Sequence, residues 1–64
     1  MDTYEFYFET PTPDGSGGTI NVPTMFRIGG LSTQAARGIK NGLLGVGAIT
    51  NVSASKITEN KTAV

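Results

Sequence analysis

Sixty-four residues, with five basic and five acidic side chains and neither histidine nor cysteine, set narrow limits. A chain this short is one domain and buries only about 60% of the surface its unfolded form exposes. Without cysteine, disulfides and thiolate metal sites are excluded; without histidine, the commonest general base and zinc ligand are missing too.

Thr3 to Thr10 alternates. Tyr4, Phe6 and Phe8 point one way, and Glu5, Tyr7 and Glu9 the other, the period of a half-buried strand. The apolar set reads as core. A base-stacking platform would need nearby cations, and this strand carries glutamates instead. Residues 11–18, Pro-Thr-Pro-Asp-Gly-Ser-Gly-Gly, predict a mobile hairpin tip because proline presets a turn and Asp-Gly is a turn pair. The segment is no phosphate cradle, since no Lys-Ser/Thr follows and it leads into a strand.

Thr19 to Ile28 is the longest periodic run. Ile20, Val22, Thr24, Phe26 and Ile28 share one face; Thr19, Asn21, Pro23, Met25 and Arg27 share the other. Pro23 has no amide hydrogen to give a ladder, so this strand is an edge or is bulged there. Paired with Thr3–Thr10 it makes a hairpin whose inner face carries Tyr4, Phe6, Phe8, Ile20, Val22, Phe26 and Ile28. Gly29-Gly30 then breaks the strand.

Residues 31–44 read as the helix. Ser32 suits the N-cap, and Ala35, Ile39 and Leu43, with Ala36 beside them, form an apolar stripe. Arg37 and Lys40 lie towards the negative end of the helix dipole. The helix stops either at Asn41, capped by Gly42, or at Leu44, capped by Gly45; the longer form buries more leucine and is preferred. Gly38 and Gly42 share a face. That strip either sits tight on the chain's own sheet or receives a partner helix. Ala48 to Ile57 predicts a last strand with a bulge near Asn51, because Ile49 and Val52 fall three apart. Ser53-Ala-Ser55 reads as solvent-facing, and the polar tail 59–64 as frayed. The expected architecture is a single α+β domain over residues 1–64, of order β-β-α-β: a three-stranded, mainly antiparallel sheet with one helix packed on one face.

Val22-Pro23, a helix, and then Gly47-Ala-Ile-Thr-Asn-Val52 resemble in form the small capping linkers of phycobilisomes, which plug protein rings. The aromatic residue that follows the proline in those linkers and their basic helix are absent here, and no membership is assigned on this likeness. The Gly- and Thr-rich composition also suits accessory proteins of bacteriophage particles.

Function narrows by elimination. No catalytic constellation, metal-ligand set or cofactor motif is present, and Glu5 and Glu9 stand about 13 Å apart along their strand, too far for a glycosidase pair. Ser32 is explained as a cap. The chain therefore reads as no enzyme. The balanced, scattered charge argues against a nucleic-acid binder, whose affinity rests on a basic face; a small nucleic-acid-binding or regulatory protein is the second class. No apolar run approaches the ~20 residues of a membrane span, and the polar, acidic start differs from a signal peptide. Both point to the cytoplasm, or to a virion. What remains is a protein–protein interaction or assembly module that joins itself or a larger complex by its sheet edge and outer sheet face. The contact residues expected are Tyr7, Met25 and Arg27, with the tip glycines Gly15, Gly17 and Gly18 as a secondary contact.

Overall fold

The computed structural model describes residues 1–58 and 61–64. Its elements run β1 (Asp2–Pro13), β2 (Thr19–Leu31), α1 (Thr33–Leu44), β3 (Thr50–Lys56) and β4 (Thr62–Ala63). The strands form one antiparallel sheet in the order β2-β1-β3-β4, with α1 on one face. The α+β class stands; the sheet has four strands rather than three. The extra strand comes from the tail read as frayed. Thr62 and Ala63 pair with Lys56 and Ser55, and Val64 packs against the core while its carbonyl accepts from Lys40 Nζ at 2.5 Å. The first two residues of that tail lie outside the described residues.

Among the described residues the core is four side chains in the sheet–helix seam. Tyr4, Phe6, Ala36 and Ala54 are buried, with Phe26, Ile28, Leu31, Ile39, Leu43 and Val64 closing around them. Phe6 and Phe26 stack with ring centroids 5.3 Å apart, and the Tyr4 hydroxyl meets Thr33 Oγ1 at 2.8 Å. The helix turns Ala36, not Ala35, into the seam, so the buried stripe is Ala36, Ile39 and Leu43. Ala54 is core, although the serines beside it face outward as the alternation requires. A methyl group fits at both positions because helix and β3 approach closely there.

Local chemistry fixes the element ends. Ser32 Oγ accepts the Ala35 amide at 3.1 Å, and α1 runs to Leu44 with Gly45 as its C-cap. Gly29-Gly30 does not end β2. Gly30 adopts φ +74° and the register slips against Asp2 and Tyr4, so the pair makes a bulge through which the strand continues to Leu31. The bulge expected near Asn51 is present: pairing jumps from Tyr7–Ser53 to Glu9–Thr50, and Asn51 takes φ +55°. β1 continues to Pro13, so the hairpin tip shrinks from residues 11–18 to Asp14–Gly18.

The hairpin outruns its helix. Thirteen strand residues span about 43 Å, whereas twelve helical residues span about 18 Å, and the molecule measures 45 × 24 × 15 Å. Ile20 and Val22 share the helix-side face, as the alternation says, yet they are 53% and 41% exposed because α1 does not reach them. Of the two roles open to the helix glycines, close packing on the sheet is not realised. A methyl group added at Gly38 or Gly42 would meet nothing within 4 Å, so the strip is not tight on the chain's own sheet.

Candidate protein-interaction surface

Strand register assembles the outer sheet face in rows. Arg27, Glu5 and Ser55 form one, Met25, Tyr7 and Ser53 the next, and Pro23, Glu9 and Thr50 a third. The three contact residues expected from the sequence therefore come together: Tyr7 and Met25 are direct cross-strand partners, and Arg27 lies two residues along. The tip glycines do not join them. Pro13–Thr19, the last strand pair, is six steps from Tyr7–Met25, about 20 Å along the strand. At the tip, Asp14 Oδ1 accepts from the Ser16 amide at 2.8 Å, Ser16 Oγ at 2.7 Å and the Gly18 amide at 3.1 Å. Those bonds, the Ser16 amide foremost, hold the Asp14 carboxyl below its usual pKa. Gly15 and Gly17 sit at φ +85° and +90°, and a Cβ on Gly18 would stand 2.7 Å from Asp14 Oδ2. Turn geometry requires glycine at Gly15 and Gly17, and Asp14 leaves no room for a side chain at Gly18.

Charge is distributed unevenly along the face. At one end Glu5 is clasped by two cations: Arg27 Nη2 and Lys61 Nζ each lie 3.0 Å from a carboxylate oxygen, and Glu5 is only 14% exposed. Lys61 first, then Arg27, lowers the Glu5 pKa. That row carries one positive charge in excess. At the other end Glu9 accepts from the Tyr7 hydroxyl, and from Asn51 Nδ2 at 2.5 Å. The Tyr7 bond leads in lowering Glu9, with Asn51 and Asn21 adding to it, and the same contact raises Tyr7. This row carries one negative charge. Met25, 53% exposed, stands between the two ends. The alternating pattern places Tyr7, Met25 and Arg27 on this face; it gives no sign that Asn51 and Lys61 join them, because a bulge and a two-residue strand carry them there.

β2 is the sheet's long open edge, and backbone parity tells which of its amides are free. Thr3 carbonyl accepts the Ile57 amide at 2.9 Å, so odd residues of β1 bond towards β3. Even residues then bond towards β2, which the Asp14 amide confirms by donating to Gly18 carbonyl at 3.2 Å. In β2, accordingly, even residues face β1, while Thr19, Asn21, Met25 and Arg27 turn their amides outward. Pro23 belongs to the outward set. Its missing N–H costs the sheet nothing, which is why a proline is tolerated in mid-strand.

No pocket opens among the described residues, and no helix among them is long and apolar enough to cross a membrane. No protein-family model, curated protein or solved structure matches this chain.

Proposed function

We propose that this chain is a non-catalytic protein–protein interaction module, an accessory or structural part of a larger assembly, acting through the β2 edge and the outer face beside it. One observation carries the reading. Ahead of the Gly29-Gly30 bulge, β2 presents a row of outward amides and carbonyls that lacks one amide, at Pro23, beside an exposed Met25. An uncovered edge is a template for strand addition, in which main-chain hydrogen bonds give affinity and the flanking side chains give selectivity. The small core supports the same view, because few buried side chains leave little margin for an isolated domain.

The test uses the orientation of the amides. Met25→Pro removes an outward donor and leaves every β1–β2 hydrogen bond in place, whereas Pro23→Thr supplies the missing donor. Tagged wild-type chain and both variants, each checked for folding by circular dichroism, are used to recover bound chains from the native host. The expected result is a bound protein chain, the same or another, that Met25→Pro loses and Pro23→Thr retains or enriches. Identical recovery by all three chains, or none by any, would overturn the reading.

A further inference from the structure

We infer that the chain bound at the β2 edge is a second copy of this one, paired antiparallel about a two-fold axis with Met25 opposite Met25. The inference rests on the function proposed above and names the partner. Like faces must meet across an antiparallel pair, and the outward amides are the odd ones. Pairing therefore sets odd residues against odd ones, and the register reduces to a choice of slip. The midpoint of Thr19–Leu31 is Met25, so the axis through Met25 gives the greatest overlap.

Charge selects the same register. With Met25 at the centre, Arg27 of one copy pairs with Pro23 of the other. The positive row of Arg27, Glu5 and Lys61 then runs in line with the negative row of Pro23 and Glu9 in the partner copy, and the reverse holds on the far side of the axis. A slip of two residues in either direction sets the Arg27 row against an uncharged one, either Met25 and Tyr7 or Asn21 and Pro11. Slipping by four brings Arg27 against Arg27, a like-charge pair, or Pro23 against Pro23, a pair with no amide to exchange.

The register suits the other face too. It sets Val22 beside Ile28 and Thr24 beside Phe26 of the second copy, giving the overhanging hairpin apolar neighbours that its own helix does not supply. Each Pro23–Arg27 pair keeps one of its two backbone bonds, and roughly eight remain across residues 21–29. The product is a continuous sheet of eight strands whose helices lie on the same face.

Sedimentation of the purified wild-type chain, over a range of concentrations, and single-cysteine crosslinking test this together. The chain has no cysteine, so Met25→Cys adds one thiol. In the inferred register the two Cα atoms stand about 5.5 Å apart, within disulfide range. Asn21→Cys is the control, its copies separated by about 26 Å along the strands. The expected results are a reversible doubling of mass, weakened by added salt, and disulfide formation in oxidised glutathione roughly tenfold faster for Met25→Cys than for Asn21→Cys. A wild-type chain that stays monomeric, or equal crosslinking at both positions, overturns the inference. If that monomer still captures a different chain through the β2 edge, the proposed function survives; if the edge captures nothing, both readings fall.

Discussion

Replacing the two helix glycines with alanine should strengthen this domain. Gly38 and Gly42 lie on the exposed side of α1, neither has a positive φ, and an added Cβ at either position meets nothing within 4 Å. No steric term opposes the substitution. Alanine exceeds glycine in helix preference by about 1 kcal/mol per position, because the unfolded chain loses freedom that folding would otherwise have to remove. The double variant Gly38→Ala, Gly42→Ala should therefore gain about 2 kcal/mol, a sizeable share of the roughly 3–10 kcal/mol of a 64-residue domain. At about 4–8 °C per kcal/mol for a domain of this size, the melting midpoint rises by 8–16 °C. Thermal and urea unfolding followed by far-ultraviolet circular dichroism, at a fixed chain concentration, read the change. Gly30→Ala is the contrast: with φ +74° it should destabilise by about 1 kcal/mol. A neutral or destabilised double variant would refute the reasoning, for it would mean that the outer helix surface is occupied.

The remaining predictions concern the polar face and the seam. Asn51→Ala should cost about 1–2 kcal/mol in urea unfolding, since alanine resists the positive φ of the bulge and the bond to Glu9 is lost; Asn51→Gly should cost less. Stability should fall on acidification. Glu5, Glu9 and Asp14 have lowered pKa values in the folded chain, so their contribution is complete above the ordinary values of 4.5 for the glutamates and 3.8 for the aspartate, and is lost as pH drops through the folded values. Glu5→Gln should flatten that acid limb in a pH series of urea midpoints. Tyr4→Phe should cost about 0.5–1.5 kcal/mol by the same assay through loss of the Thr33 bond.

What the sequence revealed depended on how far local rules decide structure. Alternation identified the hairpin and put Tyr7, Met25 and Arg27 on one face, because side-chain direction in a strand follows from backbone period alone. Ser32 and Gly45 marked the helix ends for an equally local reason, hydrogen bonding to the first and last turns. Alternation does not say how far the helix reaches, so it assigns Ile20 and Val22 to the inner face without showing that they stay exposed there. The phase of α1 was also hidden: Ala35 and Ala36 both fit a stripe with Ile39 and Leu43, and only packing against β3 selects Ala36. Ala54, between two serines, gave no apolar signal, although the approach of helix and sheet requires a small residue there. β4 is two residues long in a polar tail and owes its existence to pairing with β3, a tertiary event.

Residue-resolved amide hydrogen exchange addresses the central claim, that the β2 edge is the contact surface. The spectra compare an isotope-labelled chain as the dilute free form and as the assembled form recovered by size. Assembly should slow exchange at Asn21, Met25 and Arg27, with Val22, Thr24 and Phe26 already slow in both forms because they bond to β1. An assembled form in which those three outward amides still exchange freely, while protection appears elsewhere, would contradict the claim.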